Sequence, residues 1–197
     1  MRRALFLVIL ASAACQSTKN LDAGANYQKG VYSTTIKNFT RHDLSYDGFH
    51  NKFEYHVTLL NSAVLKAQSR LQSLYSQWDR SDALQNLHKN LDQAAAETTF
   101  FLSFFSPKSE VEDLTRSKSP WTFYLKSGQT RYRGTVTRQS DPLSKLEKFY
   151  PYHNRFSSAF LVKFPVSTSL IENSPCRLII TGPVGSSTAE FPSISNN

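Results

Sequence analysis

The sequence has little cysteine and lacks long apolar runs, and these two shortages exclude whole classes of protein. Only two cysteines, Cys15 and Cys176, occur among its 197 residues, so the chain is not a small domain stapled by several disulfides. The apolar run at residues 4–11 is far shorter than the roughly 20 residues that span a hydrocarbon core, and no later stretch approaches that length. The sequence therefore predicts no transmembrane helix.

Several enzyme motifs are also missing. The loop Gly182-Pro183-Val184-Gly185 lacks the Gly-Lys that follows in a phosphate-binding loop. Gly185-Ser186-Ser187 lacks the second glycine of a serine-hydrolase elbow and lies in a predicted hairpin. Cys176 is flanked by apolar residues, which predicts a buried thiol rather than a nucleophile. The sequence thus predicts no catalytic residue and no cofactor.

The first 15 residues have the order of a secretory signal peptide. Two arginines follow Met1, the apolar run of residues 4–11 comes next, and Ser12-Ala13-Ala14 provides a small-residue cleavage region before Cys15. This pattern predicts that residues 1–14 are removed and that the protein is exported.

Ser12-Ala13-Ala14-Cys15 resembles the lipobox of bacterial lipoproteins, although that family usually has Leu where this chain has Ser12. The resemblance implies that Cys15 receives diacylglycerol and acyl chains such as palmitate, and that it holds the protein on a membrane of the bacterial cell envelope. Gln16 stands where an inner-membrane retention signal often has Asp, which favours the outer membrane. The alternative is ordinary cleavage that releases a soluble protein.

The net charge predicts anionic partners. The chain has 23 basic and 15 acidic residues, and loss of Arg2 and Arg3 with the signal peptide leaves a net charge of about +6. Such a charge favours an anionic envelope component, such as lipid headgroups or acidic glycan, with another envelope protein as the alternative. The basic residues are scattered and the chain is exported, so no nucleic acid is expected as a partner.

Four segments alternate between apolar and polar residues, which predicts half-buried strands. They are residues 53–59, 121–126, 131–137 and 156–166. Residues 99–105 are apolar on both sides, as in a central strand covered on two faces. Residues 176–181 and 188–191 flank a Gly-Pro turn and predict a final hairpin.

Two apolar stripes at helical spacing follow the first predicted strand. They contain Val64, Ala67, Leu71 and Leu74, and then Leu84, Leu87 and Leu91. The stripes are out of phase across Ser81, a good N-cap, which predicts two helices, residues 62–78 and 82–96, rather than one rod.

Together these elements predict a mainly β fold, an antiparallel immunoglobulin-like β-sandwich with an inserted helical hairpin. The alternative is an α+β domain with helices on one face of a single sheet. Residues 15–29 are polar and predict a lipidated N-terminus and flexible tether, residues 30–191 a single β-rich domain, and residues 192–197 a loose tail. The body also resembles uncharacterised envelope lipoproteins that have a Phe-rich strand, a Trp-led strand and a terminal hairpin, a likeness that assigns no site.

The densest group of possible metal ligands or acid–base residues comprises His42, Asp43, Asp47, His50 and His56. Imidazole and carboxylate groups suit zinc, but this spacing matches no zinc motif, so the sequence favours a structural turn around Gly48 and no metal. Arg131 and Arg133 share the polar face of one predicted strand and could clamp phosphate or carboxylate.

Two functions follow as hypotheses. The favoured one is a membrane-anchored envelope lipoprotein that acts as a non-enzymatic binding or scaffold module, with Arg131 and Arg133 as the candidate ligand-binding residues. The alternative is an envelope enzyme that acts on cell-wall material through a site around His42 to His56.

Overall fold

A computed structural model describes residues 16–108, 112–116 and 119–194. The predicted signal peptide and Cys15 lie outside these residues, as do the last three residues of the chain. None of the helices in the described residues combines the length and apolar character needed to cross a membrane.

The described chain contains nine strands and five helices. In chain order they are α1 (Gln16–Asn38), β1 (Thr40–Asp47), β2 (His50–Leu59), α2 (Ser62–Ser76), α3 (Arg80–Ala96), β3 (Thr98–Phe105), β4 (Thr122–Ser127), β5 (Thr130–Arg133), β6 (Thr135–Arg138), α4 (Leu143–Phe149), β7 (Ser158–Phe164), α5 (Thr168–Glu172), β8 (Cys176–Gly182) and β9 (Gly185–Phe191).

The strands form two antiparallel sheets that pack face to face. The five-stranded sheet has the order β1-β2-β3-β7-β6, and the four-stranded sheet has the order β5-β4-β8-β9. The space between them is filled by apolar side chains from both sheets, among them Phe53, Phe100, Phe164, Phe123 and Phe191. The structure confirms the antiparallel sandwich, and the alternation of residues 53–59 correctly predicts the buried face of β2.

Helices form a third layer on the outer face of the five-stranded sheet. Tyr32 of α1, Leu71 of α2 and Phe149 of α4 pack with Phe101, an outward residue of β3. The molecule therefore combines the two predicted architectures, since it is a sandwich whose larger sheet also carries helices on one face.

The inserted helical pair is confirmed as α2 and α3, with a break at Gln77, whose φ is 50°. The predicted N-cap of α3 was wrong, because Asp79 rather than Ser81 occupies that position. The Asp79 carboxylate accepts a hydrogen bond of 2.8 Å from the Asp82 amide. Both residues are good caps, and Asp79 lies where the chain leaves α2, so the helix begins two residues earlier than predicted.

The segment predicted as a flexible tether is helical in the structure, because α1 runs from Gln16 to Asn38. The second half of this helix carries the tertiary contacts: Tyr32 and Ile36 are buried, and the Tyr32 hydroxyl donates a hydrogen bond of 2.6 Å to the Phe149 carbonyl. Helix propagation costs little once a turn is fixed by packing, so the polar residues before Tyr32 continue the helix without an apolar stripe of their own.

The run of residues 131–137, predicted as one strand, divides at Gly134 and serves both sheets. β5 pairs with β4 in the smaller sheet, whereas β6 pairs with β7 in the larger one. A Cβ atom at Gly134 would lie 2.7 Å from the Phe164 ring, so the crossing requires glycine. Alternation alone does not show such a change of sheet.

The predicted loose tail is ordered over its first residues. Ser193 is buried and Ile194 packs against the core between the sheets. The prediction was wrong for these residues because Ile194 alone makes the apolar contact. Its neighbours in the sequence are polar, so no apolar pattern indicates a packed segment.

Candidate functional site

The five residues considered as possible metal ligands or acid–base groups do not converge in the structure. His42 and His56 face each other across β1 and β2 on the outer side of the larger sheet. Asp43 points to the other side, where its carboxylate accepts a short hydrogen bond from Ser187 of β9. A site that uses all five residues is therefore not formed.

Asp47 and His50 lie at the far end of the β1–β2 hairpin. They are cross-strand neighbours on either side of Gly48, whose φ is 59°, and this matches the predicted turn. The Asp47 carboxylate lies 3.5 Å from the Lys52 ammonium group, and both Asp47 and His50 are exposed. The geometry of this pair is that of a solvated hairpin end.

His42 and His56 are joined by Glu54, and we call these three residues the histidine cluster. Glu54 precedes His56 by two residues in β2, so the pleat places both side chains on the same face. The His42 Nε2 atom lies 3.1 Å from Glu54 Oε1, and the two imidazole rings stack with their centroids 4.1 Å apart and an interplanar angle of 24°. Each residue offers one possible ligand atom, and these three atoms lie within 4.8 Å of one another. Sequence reasoning missed Glu54, since the register of the hairpin is what brings it beside His42.

His56 is the most constrained member of the histidine cluster. Its other face stacks on the Tyr152 ring at a centroid distance of 4.9 Å. Burial lowers the pKa of His56 to about 4, and the adjacent His42 imidazole adds to the effect. The His56 imidazole is therefore neutral near pH 7. Within the described residues, its ring nitrogens make no hydrogen bond.

A directed chain of hydroxyl groups fixes Tyr152 over the sheet. Thr40 donates a hydrogen bond of 2.7 Å to the Ile36 carbonyl at the end of α1, and its oxygen lies 2.7 Å from the Thr58 hydroxyl. Because the Thr40 proton is already used, Thr58 donates to Thr40, and Tyr152 in turn donates to Thr58 through a short contact. Burial raises the pKa of Tyr152, which keeps its hydroxyl protonated. Tyr152 is thereby held against His56.

Arg131 and Arg133 lie on the outer face of the four-stranded sheet, the side of the molecule opposite the helical layer. Both arginines belong to β5, and their cross-strand partners in β4 are Lys126 for Arg131 and Tyr124 for Arg133. Lys126 pairs on its other side with Arg177 of β8. All four cations are exposed. We call the surface formed by Lys126, Arg131, Arg133 and Arg177 the basic face.

Three members of the basic face stand in one row across neighbouring strands. Arg131, Lys126 and Arg177 are successive cross-strand partners, and the row ends at Glu190 of β9. Glu190 is the sole acidic residue among the outward positions of these four strands, and it pairs with Arg177 at 2.8 Å. Like charges directly opposite one another destabilise a sheet, so this row is not explained by fold stability.

Two further contacts shape the basic face and its border. The Arg131 guanidinium stacks 3.5 Å from the centroid of the Tyr124 ring, which holds it in place. At one end of the sheet, a cavity of about 700 Å³ is lined by Arg41, Lys126, Arg177 and Glu190 with several apolar neighbours. The cations of the face therefore continue into a recess large enough for a small anionic group.

Ser187 and Cys176 show no arrangement for nucleophilic catalysis. The Ser187 hydroxyl contacts Tyr55 and Asp43, and the described structure places no histidine on it. Cys176 is buried in the core between the sheets, and burial raises the pKa of its thiol to about 12. The buried position of Cys176 agrees with the prediction made from its apolar neighbours.

Two surfaces thus carry the candidate chemistry of the described chain, and they lie on opposite outer faces of the sandwich. One is the histidine cluster on the larger sheet, and the other is the basic face on the smaller sheet. The predicted lipidation site, Cys15, lies outside the described residues. No family model, curated protein or solved structure matches this chain.

Proposed function

We propose that this protein is a lipid-anchored component of the bacterial cell envelope, held through Cys15, and that its β-sandwich is a non-enzymatic module that binds an anionic envelope component. The observation that supports the binding role is the row of Arg131, Lys126 and Arg177 on the exposed sheet. The lipobox-like Ser12-Ala13-Ala14-Cys15 supports the anchor.

The anchor places the sandwich at a defined distance from the membrane. A single acyl chain gives marginal retention, whereas the several chains that a lipobox implies give a stable anchor. α1 begins at Gln16, and Tyr32 is the first buried residue among its described side chains. At a rise of 1.5 Å per residue, this part of the helix spans about 24 Å. The proposed tether is therefore a helical spacer.

The basic face has the chemistry of a site for phosphate or carboxylate groups. Guanidinium groups present planar, forked donors that match both anions, and the Tyr124 ring already orients the Arg131 guanidinium. A bound anion would relieve the repulsion between Lys126 and its two cationic partners. Anion binding therefore explains why the sheet carries this row of like charges. The alternative of an envelope enzyme is less well supported, because His42, Asp43 and His50 lie in three separate places.

The anchor is tested by fractionation of cells that produce the wild-type chain or Cys15→Ala. The wild type is expected in the membrane fraction and the variant in the soluble fraction. Mass spectrometry of the processed N-terminus should show an acylated cysteine. Equal solubility of the two proteins, or an unmodified N-terminal residue, contradicts the anchor.

The binding role is tested with the full chain carrying Cys15→Ala, so that acyl chains do not contribute. Co-sedimentation is measured with vesicles of phosphatidylglycerol and phosphatidylethanolamine, and with vesicles of phosphatidylcholine. Binding to the anionic vesicles should weaken as salt is added, because exposed charges are screened. A soluble polyanion such as heparin, added as a competitor, distinguishes general anion binding from recognition of a lipid surface.

The matched control changes net charge equally on the other side of the molecule. Arg131→Glu with Arg133→Glu should abolish vesicle binding, whereas Lys66→Glu with Lys89→Glu, at exposed positions of α2 and α3, should leave it nearly unchanged. Equal losses in the two double variants would show that net charge alone is responsible, and the basic face would then not be a site.

A further inference from the structure

We propose that His42, Glu54 and His56 form a binding site for a divalent transition metal ion of the zinc class. The proposal does not depend on the lipid anchor or on the basic face. It follows from the position, the chemistry and the surroundings of the histidine cluster.

The hairpin register supplies three ligands on one face. His42 and His56 are directly opposite each other on β1 and β2, and Glu54 is the next residue of β2 on the same side. A metal ion at this place therefore meets two imidazole nitrogens and one carboxylate oxygen. Binding of the ion does not have to bring distant parts of the chain together, because all three ligands belong to the β1–β2 hairpin.

The donor set selects the class of metal. Two nitrogens and one carboxylate oxygen suit zinc and its neighbours, whereas calcium and magnesium prefer oxygen ligands throughout. Three protein ligands leave a fourth position open on the solvent side, as His42 and Glu54 have 45% and 37% of their side-chain surface exposed. A water molecule or a donor from another molecule can complete the coordination.

To bind one ion, the His42 ring must rotate out of its stack with His56, so that the two ring nitrogens point to a common position. Tetrahedral zinc with bonds of about 2.0 Å needs its ligand atoms about 3.3 Å apart, and the three atoms now lie within 4.8 Å of one another. The His42 and Glu54 atoms are already 3.1 Å apart. The exposed His42 and Glu54 side chains can rotate, whereas the Tyr152 ring holds His56 in place.

The state of His56 supports this role independently. Its imidazole is half-buried, stacks between His42 and Tyr152, and makes no hydrogen bond within the described residues. Its ring nitrogens therefore have no other partner that would compete with a metal ion. An ordinary ion pair between His42 and Glu54 would require neither His56 nor its Tyr152 support.

The test titrates zinc alone into the full chain carrying Cys15→Ala, with a chromophoric chelator as competitor. We expect one high-affinity zinc ion per chain. His42→Ala, Glu54→Gln and His56→Phe should each weaken zinc binding by about tenfold or more. His56→Phe keeps an aromatic ring against Tyr152, so it removes the ligand atom while retaining the stacking contact.

The controls are His50→Ala at the hairpin end and His88→Ala on α3, which remove histidines outside the cluster. Both should keep the wild-type zinc affinity. Cobalt(II) provides a second readout, because its visible absorption reports a bound nitrogen and oxygen ligand set and should vanish in His42→Ala. Absence of zinc binding by the wild-type chain, or equal affinity in cluster and control variants, overturns the proposal.

Discussion

The Tyr55 hydroxyl lies 2.8 Å from the Ser187 hydroxyl, and this contact joins the two sheets of the sandwich. Ser187 donates its proton to the Asp43 carboxylate, so Tyr55 must donate to Ser187. Burial raises the pKa of Tyr55 and the Asp43 carboxylate adds to the rise, although the contact with the Ser187 hydroxyl acts in the opposite direction. Tyr55 therefore remains a proton donor. This contact links β2 of the larger sheet to β9 of the smaller one.

Ser187→Ala should destabilise the fold because it leaves the buried Tyr55 hydroxyl without a partner. Loss of one partner in a buried hydrogen bond costs about 1–3 kcal/mol of unfolding free energy. Chemical denaturation measures the effect. Ser186→Ala is the control, since Ser186 is exposed on the neighbouring position and should change stability by less than about 0.5 kcal/mol. Equal stability of the two variants would show that the inter-sheet contact contributes nothing.

Gly134→Ala should destabilise the crossing between the sheets. The new methyl group would lie 2.7 Å from the buried Phe164 ring, and the Gly134 amide is already fixed by a 2.8 Å hydrogen bond to the Phe123 carbonyl. Overpacking of this kind costs about 1–3 kcal/mol. Thermal unfolding should show the loss, whereas Gly30→Ala, with no atom within 4 Å of its added carbon, should not destabilise the protein.

The sequence predicts those parts of the fold that depend on local periodicity. Alternation with a period of two identifies the buried face of β2, and the two out-of-phase stripes identify α2 and α3. These predictions hold because each depends only on residues close together in the chain.

The remaining features depend on contacts between distant residues. α1 is helical because Tyr32 is anchored on Phe149, a contact across more than a hundred residues. The break at Gly134 is set by the position of the Phe164 ring. Glu54 joins His42 because of the hairpin register, which alternation does not specify. A pattern of one strand contains none of this information, so the histidine cluster could be predicted only in part.

The stability of the protein should fall as the pH decreases from about 6.5 to 4. The pKa of His56 is about 4 in the folded chain, mainly because of burial, whereas an unfolded histidine titrates near 6.5. Between these values the unfolded chain binds more protons, so acid favours unfolding. Burial also lowers the pKa of His153, which acts in the same direction.

Denaturation midpoints measured between pH 7.5 and 4.5 report this dependence. His56→Phe should reduce it, because the substituted ring cannot be protonated and still contacts Tyr152. His50→Ala, an exposed histidine, should keep the wild-type dependence. An unchanged pH profile in His56→Phe would mean that the His56 imidazole titrates normally in the folded protein.

The Cys176 thiol should be unreactive in the folded protein. It is buried between the sheets, and burial raises its pKa to about 12, so the thiolate is scarce at pH 8. In the Cys15→Ala background, a thiol reagent such as dithiobis-nitrobenzoate should react slowly with the native chain and fully after denaturation. Rapid modification of the native protein would contradict the buried position.

Lys126→Gln should increase stability while it weakens anion binding. Lys126 stands between Arg131 and Arg177, so its removal relieves repulsion across two strand pairs. Relief of such pairs is worth about 0.2–1 kcal/mol. Chemical denaturation and vesicle co-sedimentation of the same variant measure the two effects, and Lys89→Gln on α3 should change neither. If Lys126→Gln instead lowers stability and leaves vesicle binding intact, the charge row serves the fold. Higher stability together with weaker vesicle binding would show that the repulsion in the sheet is maintained for binding.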